Sequence, residues 1–233
     1  MLTLAVDTSC LTASCAIAQD NMVIAELTTQ YGKTHSQKIM PMIKTTLSMV
    51  DKKLSDVDLF AAAVGPGSFT GIRIGVVTIK ALAYSLKRPV CGISTLDALA
   101  FTMPDSNGVI SPILDARNNQ VYTAFYRKKN NTLEKLYDEA GIKIEDWIIQ
   151  AQTYDEDLLV LGDGFPLHYD RLKSSLELHL INSPQGNIYP RASASALLAE
   201  ASYNDNRSIS PFDLKPLYLR KSQAERMKDK QRK

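Results

Sequence analysis

The sequence predicts an α/β fold built of two similar lobes, and three observations support this prediction. The same order of strands and helices occurs twice along the 233 residues. Each copy opens with an apolar strand that ends in an aspartate, Asp7 in the first copy and Asp115 in the second. In both copies an acid then precedes an apolar run and a Gly-x-Gly turn, from Asp58 and from Asp157. A chain of this length with 45% hydrophobic residues can bury a core in each lobe.

The first copy begins with three predicted strands joined by short turns. LTLAVD, SCAIAQ and MVIAEL are apolar or alternating, and Asp20-Asn21 between the last two is a hairpin-turn pair. A helix begins after Thr34, which forms a T-x-x-Q capping box with Gln37. There follow the strand that runs into GPGSF, a helix from Ile72 to Leu86, the strand VCGIS and a helix from Thr95.

The second copy repeats this order from Val109. VISPILD, VYTAFY and TLEKL form a second three-stranded meander, with a turn at Asn130-Asn131. The run DLLVLGDGF, a helix around 167–174, the strand LHLIN and a helix over 192–203 come next. The interruption MPDSNG at 103–108 places the boundary between the lobes. We therefore predict a first lobe over 1–103, a second over 104–219 and a basic tail over 220–233.

This repeated order resembles the actin, Hsp70 and hexokinase-like (ASKHA) fold. Enzymes on this plan bind ATP between the lobes, at hairpin turns rich in glycine. The equivalent turn here, Asp7 to Thr12, has no glycine, and its side chains limit close backbone approach. An actin-like ATPase or a small-molecule kinase therefore remains the alternative function. Asp7 and Asp115 either hold a magnesium ion or cap the turns that follow them.

Five segments, which cover nearly the whole chain in order, carry a resemblance to a protein family. They are LAVDTS, THSQKIMPMI, GPGSFTGIRIG, ISTLDALA and YPRASASALLA. Together they resemble the TsaB (YeaZ) family of bacteria. That family is a catalytically inert relative of TsaD, the subunit that transfers a threonylcarbamoyl group to an adenosine beside the anticodon of certain tRNAs. The resemblance implies a partner protein without cofactor or metal, rather than an enzyme.

The resemblance also implies the partners of the chain. These are TsaD in a heterodimer, a TsaE-type ATPase in the same complex, and a second copy of the chain in a homodimer when TsaD is absent. The basic tail, with seven Lys or Arg among its fourteen residues, is the candidate for tRNA contact through the complex. The start MLTLAVDTSC lacks the pattern of a leader segment, so we expect a cytoplasmic protein without a membrane contact.

Two helices of the first lobe are the candidate partner interface. The helix over 72–86 has one apolar face for its own sheet and a second one on the opposite side, for another intrachain helix or for a partner. The helix after Thr34 has a wide, methionine-rich face. In TsaB proteins these helices pair with their equivalents in TsaD or in a second copy. The predicted interface residues are His35, Ile39, Met40, Met42, Ile43, Leu47, Ile74, Val77, Ala81 and Tyr84.

The glycine-rich stretch GPGSFTG is predicted to shape a turn rather than hold a phosphate. Thr70 is the expected N-cap of the following helix, and only Arg73, not a Walker-type lysine, follows the loop. The residues assigned to this structural loop are Gly65, Gly67, Ser68, Thr70 and Gly71.

Other catalytic and metal sites have little support in the sequence. Ser68 does not have the G-x-S-x-G spacing of an elbow nucleophile, which disfavours a peptidase. No two of the histidines His35, His168 and His179 stand at helical i, i+4 spacing, as a two-histidine metal site would require. Three cysteines at 10, 15 and 91 are expected to be reduced and buried.

Overall fold

The computed structural model describes residues 1–31, 34–105, 107–176, 180–182 and 188–220. His179 and the tail beyond Arg220 lie outside these residues. The first half of the chain contains β1 (Leu2–Asp7), β2 (Ala13–Gln19), β3 (Met22–Thr29), α1 (His35–Ser48), β4 (Leu59–Gly65), α2 (Phe69–Leu86), β5 (Val90–Ser94) and α3 (Thr95–Phe101). The second half contains β6 (Val109–Asp115), β7 (Gln120–Lys129), β8 (Thr132–Lys143), α4 (Ile144–Ala151), β9 (Leu158–Leu161), α5 (Gly164–Leu176), β10 (Leu180–Asn182) and α6 (Ala192–Asn204).

The two halves form sheets of the same topology, which confirms the predicted duplication. The strand order is β3-β2-β1-β4-β5 in the first sheet and β8-β7-β6-β9-β10 in the second. In both, the opening meander is antiparallel and the remaining pairs are parallel. Asp20, Asn21, Asn130 and Asn131 all have positive φ, as two-residue hairpin turns require. The α/β fold with two ASKHA-type lobes is therefore present.

Helix α4 is an element that the sequence analysis did not predict. It follows β8 directly, and its N-cap residue Lys143 makes no side-chain capping bond, so the usual start signal is missing. Its position between β8 and β9 matches that of α1 between β3 and β4. Trp147 anchors it, fully buried, with Nε1 donating to the hydroxyls of Ser111 at 3.0 Å and Thr123 at 3.1 Å.

The first sheet is covered on both faces, and the alternation along β1 decides which side chain faces which layer. Leu4 and Val6 point into a core shared with α1 and α2. Ala5 points the other way, into a layer formed with α3 and α6. That layer is rich in alanine: Ala16, Ala18, Ala61, Ala98, Ala192, Ala194, Ala196 and Ala199 belong to it. Such short side chains let the backbone of α6 approach the strands closely.

The last helix of each half packs mainly on the sheet of the other half. Leu96, Leu99 and other residues of α3 join Ile110, Leu114 and Tyr126 of the second sheet in one cluster. Helix α6, from the second half, packs on the first sheet, and its buried Glu200 accepts a hydrogen bond from the backbone N–H of Asn21. Helix α3 thus lies in the predicted lobe 1–103 but packs mainly on the second sheet. Helix α6 lies in the predicted lobe 104–219 but packs on the first sheet.

We predict that Ala196→Leu destabilises the whole protein. Ala196 is fully buried between α6 and the first sheet, and a larger side chain there overpacks the layer, at a typical cost of about 1–3 kcal/mol. Urea denaturation followed by circular dichroism measures this loss. The control is Ala201→Leu on the exposed side of α6, which should change stability by only about 0.5 kcal/mol. Equal stability of the two variants would show that the alanine layer is loosely packed.

Candidate partner-binding surface

Helix α2 presents two apolar faces, as its sequence indicates. Ile72, Val76 and Ile79 are buried against the first sheet. On the opposite side Val77 is 63% exposed and Tyr84 is 60% exposed. Ala81 between them is also exposed, and Ile74 is half-buried. We call Ile74, Val77, Ala81 and Tyr84 the outer stripe of α2.

The length and composition of α2 also match those of a membrane-spanning helix, and among the described helices it alone passes that test. One face of the helix is nevertheless part of the protein core. Two basic residues, Arg73 and Lys80, lie along the same helix. The outer stripe is therefore the part of α2 that is free to contact another molecule.

Helix α1 contributes less to this surface than the sequence predicts. Ile39, Met42, Ile43 and Leu47 were expected at the interface, but they are buried in the core of the first lobe. Their spacing forms one stripe, which packs on β2, β3 and α2. At the edge of this stripe, Met40 remains 46% exposed.

His35, the other predicted contact of α1, faces the protein rather than the solvent. Its ring is half-buried, and Nε2 donates to the carbonyl oxygen of Cys10 at 2.9 Å. This bond ties the first turn of α1 to the turn between β1 and β2. At the start of the same helix, the Gln37 side chain accepts a bond from the N–H of Thr34 at 3.4 Å, one half of the predicted capping box.

A segment that sequence reasoning missed flanks the outer stripe. Residues 209–220, which we call the strap, run along α2 from the start of β5, where Ile209 pairs with Val90. Lys80 Nζ donates to the carbonyl oxygens of Phe212 and Leu214, each at 3.1 Å. The ring of Phe212, which is 68% exposed, meets the edge of Tyr84 at 5.0 Å. Apolar and aromatic residues in a stretch interrupted by two prolines were the signal available in the sequence.

The strap is also held at its far end. The ring of Tyr218 stacks on Phe69 with centroids 4.6 Å apart, and its hydroxyl accepts from Arg73 Nε at 2.8 Å. Beyond it, Arg220 Nη1 donates to the carbonyl oxygen of Ala116 in the second half, at 2.7 Å. The strap therefore connects the start of α2 with the end of β6.

The glycine-rich loop packs directly on the first turn of the chain. Gly65 and Gly67 have φ of 115° and 155°, and the bond from Gly65 to Pro66 is cis. Ser68 N–H donates to the carbonyl oxygen of Ser9 at 2.6 Å, and Thr8 Oγ1 donates to that of Gly71 at 2.7 Å. A Cβ atom on Gly71 would overlap the carbonyl oxygen of Thr8. The loop thus shapes a turn, and it brings α2 against the β1–β2 turn.

The N-cap of α2 is Ser68, not Thr70 as the sequence analysis predicts. Ser68 Oγ accepts from the N–H of Gly71 at 3.3 Å, and the helix already begins at Phe69. Thr70 lies in the first helical turn with an exposed side chain. Ser and Thr have similar preferences for the N-cap, so the composition alone did not distinguish the two positions.

The two strand-end aspartates cap the turns that follow them. Asp7 is 2% exposed, and its Oδ1 accepts from the N–H of Ser9 at 2.8 Å and from its hydroxyl at 2.6 Å. Burial raises the pKa of Asp7. Asp115 Oδ1 accepts from the N–H of Arg117 at 2.7 Å. Within the described ranges, no group of three or more His, Cys, Asp or Glu side chains is arranged to hold a metal ion.

The remaining nucleophile candidates are buried. All three cysteines are free and buried. Burial raises the pKa of Cys15 to about 12 and that of Cys91 to about 11, and it also raises the pKa of Cys10. A thiolate is the reactive form of cysteine, so these thiols are unreactive at neutral pH. His168 has a pKa lowered by burial and lies on α5, remote in sequence from the loop at Ser68.

A cleft of about 840 Å³ lies between the lobes, next to the glycine-rich loop. The first half contributes the β1–β2 turn, the first turn of α1 and the start of α2, and the second half contributes the ends of β6 and β9. The far end of the strap closes one side. Its charged lining residues are Lys38, Asp115, Arg117, Asp163 and Arg220.

Comparisons with known proteins agree on one relationship. A family model described as TsaD, tRNA N6-adenosine threonylcarbamoyltransferase, matches residues 21–225. The tRNA threonylcarbamoyladenosine biosynthesis protein TsaB of Bacillus subtilis is 36% identical over 225 residues, which cover 97% of this chain and 96% of that relative. The solved structure of YeaZ from Pseudomonas aeruginosa aligns with a TM-score of 0.81 at 26% identity, covering 94% of this chain and 99% of that one.

A more distant structural neighbour bears on the fold alone. The ROK hexokinase from Thermus thermophilus aligns with a TM-score of 0.51 at 10% identity, covering 87% of this chain and 100% of that one. The hexokinase-like plan predicted from the repeated order of elements is thereby confirmed.

We predict that Gly71→Ala destabilises the protein, although alanine normally favours a helix over glycine by up to about 1 kcal/mol. The added Cβ would overlap a backbone oxygen of Thr8, which cannot move as a flexible side chain can, so the expected loss is about 1–3 kcal/mol. Thermal and urea denaturation measure it. Thr70→Ala, one residue earlier and exposed, is the control and should stay within about 0.5 kcal/mol of the wild type. A Gly71→Ala variant at least as stable as the wild type would contradict the close packing of loop and turn.

Proposed function

Since the chain belongs to the TsaB family of tRNA threonylcarbamoyladenosine biosynthesis proteins, we propose that it is a noncatalytic subunit that binds TsaD. In this role it supports the transfer of the threonylcarbamoyl group to the adenosine beside the anticodon, while the active site belongs to TsaD. The observation that carries the proposal is the outer stripe of α2, an apolar surface in which Val77, Ala81 and Tyr84 stay exposed.

The chemistry of the contact supports a protein partner. Val77, Ala81 and Tyr84 are spaced as the anchors of a helix-to-helix contact, four and three residues apart. Large aromatic side chains are enriched at the centres of protein interfaces, and Tyr84 and Phe212 meet at the edge of this surface. The match to a TsaD family model over residues 21–225 supports the expectation that TsaD carries equivalent helices. We propose that these helices pair with α1 and α2, and that a second copy of this chain uses the same surface when TsaD is absent.

The contacts of the candidate nucleophiles support a noncatalytic role. Ser68 caps α2, and Asp7 holds the turn at Ser9. The cysteines are buried thiols. Ser68 and Asp7 have hydrogen-bond partners within the fold, and the cysteines are part of its interior. These contacts favour a partner protein over an ATPase, a kinase or a peptidase. We further propose a cytoplasmic complex that includes a TsaE-type ATPase and contacts tRNA through the basic tail over 220–233.

Reconstitution tests the proposed function directly. The full chain and the TsaD of the same organism are purified separately, and tRNA modification is assayed with each alone and with both, in the presence of the other pathway components. We expect formation of the modified nucleoside to require both proteins. Modification by this chain without TsaD would overturn the proposal.

We predict that Val77→Arg abolishes tight binding to TsaD without unfolding the chain. The new charge would lie in the centre of the contact, where it would be desolvated without a partner. Hot-spot residues contribute about 2 kcal/mol or more each, so the affinity should fall at least about thirtyfold. Isothermal titration calorimetry measures the affinity, and thermal denaturation measures the fold.

The matched control places the same charge on the other side of the same helix. Ile79 is fully buried against the first sheet, so Ile79→Arg should unfold the first lobe. Two results would count against the proposed surface. A Val77→Arg variant that melts would assign the outer stripe to the core, and one that folds and binds TsaD with wild-type affinity would place the contact elsewhere.

A further inference from the structure

We infer that basic residues along the outer stripe of α2 select a partner whose facing helices are acidic, and that they oppose the pairing of two copies of this chain. This selection rests on the proposed function, which places the contact on the outer stripe. It decides between the two occupants proposed for that surface, because TsaD can carry complementary charges and a second copy cannot.

Helices α1 and α2 carry basic side chains and no acidic ones. They have 14 and 18 residues, and their charged residues are Lys38, Lys44, Arg73 and Lys80. Each of the helices α3 to α6 contains at least one Asp or Glu. An acid in the first turn would stabilise a helix through its dipole, but the first turns of α1 and α2 contain none. The stability of the two helices therefore does not explain this bias.

The positive charges of α2 follow one edge of the outer stripe. Arg73 precedes Val77 by four residues and Lys80 precedes Tyr84 by four, a spacing that places each pair on the same side of a helix. Lys87, seven residues after Lys80, is the C-cap of α2 and is exposed. Charged residues flank the apolar seam of a coiled coil in the same way, and there they determine which helices pair.

Neutral groups hold two of these charges in place. Arg73 Nε donates to the hydroxyl of Tyr218, and its guanidinium carbon lies 3.9 Å from the centroid of the Phe69 ring. Lys80 Nζ donates to two carbonyl oxygens of the strap. Among the residues that the structure describes, no carboxylate forms an ion pair with Arg73, Lys80 or Lys87. Their positive charge is therefore fixed beside the stripe and left for a partner to neutralise.

Two carboxylates near this edge are matched by basic residues of their own. Asp213 is exposed on the strap, and Lys215 stands two residues after it. Asp58 Oδ1 lies 3.7 Å from a guanidinium nitrogen of Arg88, the residue that follows Lys87. Neither carboxylate balances the charges along α2, so the surface beside the outer stripe remains positive.

This charge distribution separates the two occupants. A symmetric dimer uses the same surface of both copies, so a second copy would bring two basic edges together. Like charges at a contact oppose association, whereas complementary charges speed the encounter and determine the partner. Acidic residues on the facing helices would form ion pairs with Arg73, Lys80 and Lys87. An acidic TsaD surface is thus the occupant that fits, and the pair of identical chains is the weaker complex.

The salt dependence of the two complexes tests this selection. Raising NaCl from about 0.1 M to about 1 M shortens the Debye length from about 10 Å to about 3 Å, which screens attraction and repulsion alike. We expect the affinity for TsaD of the same organism, measured by calorimetry, to fall at least about threefold. Self-association, measured by analytical ultracentrifugation, should stay weak or become stronger. A smaller loss with TsaD, or self-association that weakens with salt, would overturn the inference.

Reversal of two exposed charges tests it without a change of salt. Lys44 on α1 and Lys87 at the end of α2 are exposed, so the double variant Lys44→Glu and Lys87→Glu should keep the fold. We expect it to bind TsaD at least about tenfold more weakly than the wild type at low salt. The control, Lys129→Glu with Lys173→Glu, changes the net charge equally at exposed sites of the second half and should bind as the wild type does. Equal affinities of the two double variants would overturn the inference.

The failure of this selection can be distinguished from the failure of the proposed function. Val77→Arg tests the apolar contact, and the salt series and the double variants test the charges. If Val77→Arg loses TsaD while salt and charge reversal have no effect, the contact stands and the acidic partner surface is excluded. If the wild-type chain does not bind TsaD at either salt concentration, both proposals are overturned.

Discussion

The close approach of α2 to the first turn of the chain is the contact on which the other features depend. Gly71 and Gly75 carry no side chain, and Thr8 occupies the space that a Cβ atom would take at either position. This contact aligns the start of α2 with the cleft. It also fixes the rotation of the helix, so that Ile79 faces the sheet and Val77 faces outward. One packing contact thus positions both the proposed partner surface and one side of the cleft between the lobes.

Sequence reasoning was most successful where backbone chemistry leaves a local signal. The paired Asp and Asn residues of the hairpin turns predicted both meanders, because these residues tolerate positive φ. The two faces of α2 were visible because apolar residues recur on both sides of one long helix. The repeated order of elements then led to the fold, which the sheet topology confirms.

The failures have physical reasons as well. Helix α4 has no capping side chain, so its beginning resembles the strand before it. The methionines of α1 are flexible enough for an interface or a core, and the sequence did not reveal that Met42 is buried while Met40 is exposed. The strap depends on contacts between residues more than a hundred positions apart, such as Arg73 with Tyr218. Long-range packing of this kind has no periodic pattern in the sequence.

The exchange of α3 and α6 between the halves has a consequence for how the protein can be divided. A chain cut within 103–108 would yield an N-terminal fragment whose alanine-lined layer has lost α6. The C-terminal fragment would lack α3 on its own sheet. The two lobes are therefore not transferable modules, and complementation of the separated fragments would be needed to restore either core.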